Sequence, residues 1–294
     1  MSPVTPAGVW VKVIGISAVF VLAASASGPL QLDEARKLYS LTEFEASLKV
    51  LQALPVKDGA AYALMGRNYY MQSDYKRATE ALEKAVAAEP SDSEYWLWLG
   101  RAYGRRAETS SPFTAPGHAS KARQYFEKAV QLSPHSLEAL NDLFEYYLEA
   151  PGFLGGGMDK AQGMAIRIEA VDSAEGHWAQ ARLAEKRKEF NSAEDHLRRA
   201  IEAAPMQVGR FIDLARFLAK QGRYQESDQS LERAGKIAPN SPKLMYARAD
   251  LYIKSGRHLD VAKDLLTRYL SATLTPDDPP KSEAAKLLRR VRGS

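Results

Sequence analysis

The sequence predicts an all-α fold: an α-solenoid of about seven antiparallel helix pairs followed by a C-terminal capping helix. Three observations carry this. Typed positions recur at a stride of 34, as in Gly66 and Gly100, Ala181 and Ala215, Phe190 and Tyr224, Leu197 and Leu231, and Pro205 and Pro239. Within each stride the apolar residues fall at i, i+3, i+4 and i+7, the period of an amphipathic helix. Strides close on proline, which lacks the N–H that would continue a helix. A unit this small buries no core of its own, so stability comes from stacking on its neighbours.

In the clearest unit, Tyr62, Met65, Gly66 and Tyr69 mark a helix A, and Ala78, Leu82 and Ala85 mark a helix B that ends at Pro90. Small residues are needed where helix axes approach to ~8–10 Å. Gly66 and Ala78 therefore place the A–B crossing, and Ala85 makes room for the next unit. Asp92 or Ser93 offers an N-cap for the helix that follows. The third unit reads Trp96, Leu99, Gly100 and Tyr103, then Ala122, Phe126 and Ala129. The fourth reads Leu140, Leu143, Phe144 and Tyr147, then Ala161; Phe144 occupies the small position, which predicts loose or skewed packing there. The fifth and sixth repeat the pattern around Ala181 and Ala193, and around Ala215 and Ser227. A seventh follows at Met245, Ala249 and Ala262, and a degenerate first unit at Ala35, Ser47 and Leu51. Residues 276–294 read as the cap, with Ala284, Leu288 and Val291 on one face and Lys281, Lys286 and Arg289 on the other, solvated one.

The unit from Tyr62 to Pro90 resembles the tetratricopeptide repeat (TPR) family, and the resemblance runs over 30–275. It implies a right-handed solenoid that binds a protein or peptide partner, with helix A of each unit lining the inner groove. The residue after each small position then faces that groove: Arg67, Arg101, Arg182 and Arg216, with Arg105, Lys186 and Lys220 one turn on. A guanidinium forks onto a carboxylate or carbonyl with defined geometry, so this ladder is expected to grip a partner segment. The competing expectation is that Glu94 and Glu175 pair with the arginines and neutralise them. The lysine-and-asparagine clamp of the family's chaperone-tail binders is not reproduced by Arg67-Asn68 or Arg101-Ala102.

Two units carry insertions between A and B. Loop 104–120 has about ten extra residues and includes Phe113 and Pro116; loop 150–158 has about five and includes Phe153, Gly155 and Gly156. These neighbouring segments are expected to meet on one rim, with Phe113 or Phe153 packed across the contact, as a second candidate site for a small molecule or glycan. The glycine run is not a phosphate loop, because no Gly-Lys-Ser/Thr follows it and Asp159 stands where an anion would approach. Asp159 is instead expected to cap the next helix B.

Forty basic and 36 acidic side chains leave a net charge of +4, which gives no case for nucleic acid as a partner. With no cysteine, disulfides, thiol catalysis and thiolate metal sites are excluded. The five histidines lie at no metal-ligand spacing and no nucleophile motif appears, so no catalytic residue, metal, nucleotide or other cofactor is expected. Lys12, an apolar run from Val13 to Ala24 and the small-x-small site Ala24-Ser25-Ala26 read as a signal peptide over 1–26. That predicts a periplasmic protein, or a membrane-anchored one if the segment is retained.

Overall fold

A computed structural model describes residues 19–292, with side chains described from Leu30 to Val291. The described residues form fifteen α-helices and no strand. Helices α1 (Val19–Ser40) and α2 (Phe44–Ala53) make the first pair, followed by α3 (Gly59–Met71) with α4 (Tyr75–Ala88) and α5 (Ser93–Thr109) with α6 (Ala115–Leu132). Then come α7 (Leu137–Glu149) with α8 (Met158–Val171), and α9 (Ser173–Arg187) with α10 (Phe190–Ala203). The last pairs are α11 (Val208–Lys220) with α12 (Tyr224–Ile237) and α13 (Pro242–Ser255) with α14 (Leu259–Ser271), capped by α15 (Lys281–Arg292). The architecture is an α-solenoid. Most of the expected signal segment lies outside the described residues. Among those described, no helix is long and apolar enough to cross a membrane.

Helix starts follow from local chemistry. Asp58, Asp74, Asp92, Ser136, Asp172 and Ser241 each accept a hydrogen bond from a first-turn N–H. Short A–B turns pass through a left-handed residue at equivalent places: Thr42, Ser73, Lys188, Gly222 and Gly256. Phe190 and Tyr224 open their B helices and stay partly exposed.

Size complementarity at the A–B crossing sets the packing. A Cβ on Gly66 would lie 2.4 Å from Leu82 Cγ, and one on Gly100 would lie 2.6 Å from Phe126. Phe144, expected to loosen the fourth unit, is instead fully buried, with its ring edge-on to Trp178 at 5.8 Å. The reason is an exchange of sizes: the α8 residue equivalent to Leu82 and Phe126 is Ala165, also fully buried. In the first unit Ser47 donates to the carbonyl of Ala35 (2.9 Å), and in the sixth Ser227 does the same to Ala215 (2.8 Å).

Neighbouring A helices touch, as α3 does α5 and α11 does α13, while B helices make no comparable contacts with each other. The stack therefore curves toward its A face, and that face is the inner one. Curvature brings the ends together. Leu274 and Asp278–Ser282 face Thr42, Phe44, Met71 and Gln72 across a cavity of about 450 Å³. Tyr269, fully buried in α14, anchors this returning segment by donating its hydroxyl to the carbonyl of Pro279. Burial, reinforced by Asp277 after partial offset from Arg67, pushes the Tyr39 hydroxyl up to about 12.

Candidate functional site

The arginine ladder lies on the A helices, one rung to a unit, and three of its four rungs are already engaged. Arg67 reaches Glu94 at 2.6 Å, and Arg101 reaches Asp142 at 2.5 Å and Glu138 at 3.0 Å. Arg182 forks onto Glu145 with two bonds of 2.9 Å and touches Glu149 at 3.2 Å. Every one of these bridges joins one unit to the next. The expected pairs Glu94–Arg101 and Glu175–Arg182 are replaced by pairs displaced by a unit, because side chains on adjacent A helices lie closer than the sequence spacing suggests. Glu175 accepts from Asn141 (2.9 Å) on one side and pairs with Arg210 on the other. Arg67 and Arg101 also cover Trp98, at 5.2 and 5.0 Å from its ring centroid.

The electrostatics follow the burial. Desolvation raises the Asp142 carboxyl above the ordinary aspartate value despite Arg101 beside it, and does the same at Asp213 despite Arg210, Arg216 and Lys243. At Glu149 burial works against ionisation, yet Lys186 and Arg182 outweigh it and hold the carboxyl below its usual range. Arg105 pairs with Glu108 and rests over Tyr75, and Lys186 reaches Glu149 at 2.7 Å.

Arg216 differs. It is exposed and, alone of the four, has no carboxylate within ion-pair reach among the described residues. Two adjoining cavities of about 250 Å³ each share it with Lys220: one is closed by Trp178, Arg182 and Asp213, the other by Tyr224, Asp250 and Lys254. Lys220 itself, 60% exposed, reaches Glu185 at 3.1 Å.

The insertions took a different form from the expected loops. Segment 104–120 is largely helical, since α5 extends to Thr109 and α6 begins at Ala115 with Pro116 in its first turn, where proline costs no hydrogen bond. Phe113 and Phe153 are 95% and 82% exposed, so neither packs across a contact. The insertions still converge. Gly104, Arg105 and Ala119 from the first, with Ala150, Pro151 and Leu154 from the second, enclose a cavity of about 480 Å³ over Tyr70, Phe126 and Tyr146. Gly155 packs on Arg123, and a Cβ on Gly156 would lie 1.8 Å from the Ala150 carbonyl oxygen, so the glycines shape a tight bend. Asp159 does not cap α8; Gly157 stands at the cap and Asp159 lies within the first turn.

No group of three His, Asp or Glu side chains stands at metal-holding distance among the described residues. His177 and His196, unremarkable by spacing, do meet, with Nδ1 atoms 3.4 Å apart. The sequence signal was present in register: they sit four before and three after the small residues Ala181 and Ala193.

Fold and inner face define a helical-repeat solenoid with a polar, charge-bridged groove. The tetratricopeptide repeat family model matches residues 63–136, most of the second helix pair and all of the third. A tetratricopeptide repeat protein from Parabacteroides merdae is similar with a TM-score of 0.57 at 14% identity, over 91% of this chain and 99% of that one. A thermophilic TPR protein from Thermus thermophilus is similar with a TM-score of 0.53 at 20% identity, over 65% of this chain and 98% of that one. At these identities the likeness is one of fold. No curated protein matches the chain.

Proposed function

We propose that this chain is a non-catalytic interaction scaffold of the bacterial cell envelope, exported by cleavage after Ala26, that binds a protein or peptide partner on its A-helix face. The tetratricopeptide fold supports the class of function. The observation that supports a contact there is Arg216, an exposed guanidinium without a carboxylate in ion-pair reach among the described residues, between two open cavities. Arg67, Arg101, Arg105, Arg182 and Lys186 hold their units in register, and the partner's acidic group is taken at Arg216 and Lys220.

Photo-crosslinkers at Lys220 and at Glu202 on the outer face of α10 test this in an envelope extract. A partner captured from Lys220 alone, and lost at least tenfold on Arg216→Glu, supports the assignment. Equal capture from both positions, or indifference to the substitution, removes it. Mass measurement of the mature N-terminus checks export, and retention of Met1 in the membrane fraction favours an anchor instead.

A second reading rests on the 480 Å³ cavity between the insertions, whose aromatic floor and polar rim suit a small molecule or glycan. Tyr146→Ala together with Leu154→Ala is expected to abolish such binding without touching capture at Arg216.

A further inference from the structure

In each helix pair the repeat register sets one A residue, four before the small position, opposite one B residue, three after the facing small position; Trp96 meets Tyr125 and Phe211 meets Ser230 in this way. Through the stack these pairs are Gln31/Val50, Tyr62/Ala81, Trp96/Tyr125, Leu140/Met164, His177/His196, Phe211/Ser230 and Met245/Leu265. Six of the seven pairs are apolar, small or neutral polar. In the fifth unit both members change at once, and both become imidazoles. A single histidine in such a slot is a core residue finding a hydrogen bond; two facing each other are a donor set.

The geometry is that of ligands. His177 and His196 present Nδ1 to Nδ1 at 3.4 Å, with ring centroids 5.5 Å apart and planes inclined by 42°. Two nitrogens each ~2.0–2.1 Å from a tetrahedral zinc ion lie ~3.3–3.4 Å apart, so both imidazoles already stand at the bite distance of one metal. Both rings are half-buried, on helices α9 and α10 that are locked by the Ala181 and Ala193 crossing. Helix α8 walls the pair closely: a Cβ on Gly176, next to His177, would lie 2.5 Å from Glu169 Cα.

We propose that His177 and His196 form a transition-metal site of the zinc class, both Nδ1 atoms ligating, with water completing the shell. Imidazole nitrogen suits zinc and copper, and metal affinity requires the neutral ring. A bound ion would tie α9 to α10 in the unit beside the Arg216 cavities.

The probe is zinc alone, titrated calorimetrically into the full chain purified without a histidine tag. One ion per chain is expected. His177→Phe with His196→Ser installs the pair the sixth unit already uses, so the variant is expected to keep its helical spectrum and lose at least tenfold in zinc affinity. His177→Tyr with His196→Ala, the second unit's pair, serves if the first does not fold. Zinc binding unchanged in a folded double variant, or absent from the wild type, overturns the site.

Discussion

Gly66 and Leu82 state the packing rule at its smallest scale. With 2.4 Å between a would-be Cβ and Leu82 Cγ, Gly66→Ala should overpack the crossing and cost about 1–3 kcal/mol, read from the denaturant midpoint. The Phe144–Ala165 exchange predicts a partial cure. Leu82→Ala alone should cost about 2–5 kcal/mol, but the double variant should cost clearly less than the two losses added, because one fills the space the other vacates. Additive losses would mean that the two positions do not share that space. Burial also sets a pH prediction at Asp213. Its folded pKa is raised, so its contribution to stability is present below the unfolded aspartate value of ~3.9 and lost as pH rises through the folded one. Asp213→Asn should therefore stabilise the chain at neutral pH, with the gain fading toward pH ~4 in thermal melts. The crossing residues were legible in the sequence because they repeat. The histidine pair was not, because its signal lies in register across a turn and not in spacing along one helix.

Between elements, the bridges from α5 to α7 and from α7 to α9 act as a register lock. Arg101→Ala would leave the partly buried Asp142 without its cation, an expected loss of about 1–3 kcal/mol that Asp142→Asn in the same chain should partly recover. Calorimetric melts of the three variants check this, and an unchanged midpoint for Arg101→Ala would remove the lock. These partners were illegible to a reading confined to one unit: Arg101 and Asp142 are 41 residues apart, across the insertion in the third unit. The insertions show the converse. Their lengths were readable, but 104–120 read as a loop, whereas Pro116 falls in a first turn and Gly104 and Gly117 lie within helices. Hence Phe113 was expected inside a contact and stands in solvent, while the cavity forms from residues such as Ala119 and Leu154 that carried no signal.

For the whole molecule, the returning C-terminal segment is the feature that distinguishes this stack from an open spiral. Ala284 and Leu288 of α15 join the core of Met245, Tyr252, Leu266 and Tyr269. Deleting 275–294 should lower stability by about 2–5 kcal/mol, comparable to truncating a large core side chain, and increase the radius of gyration in solution scattering as the ends part. Tyr269→Phe isolates the anchor: loss of its bond to Pro279 should cost about 0.5–1.5 kcal/mol, and scattering should show the same opening without the loss of a helix. The proline pair Pro279-Pro280 was visible in the sequence as the start of the cap helix. Its position opposite Thr42 and Gln72 arises from curvature summed over seven pairs, which no single unit encodes.

That meeting of ends also has a consequence in time. Most contacts in the stack are between neighbours and form as the chain emerges, but the facing of Thr42 and the segment at Pro279 across their cavity waits until that segment has been made. At synthesis rates of about 5–20 residues per second, the first helix pair spends roughly ten seconds or more with its rim uncovered. During that interval the nascent protein lacks its final long-range closure, and a threading machine would meet less resistance from it than from the finished molecule.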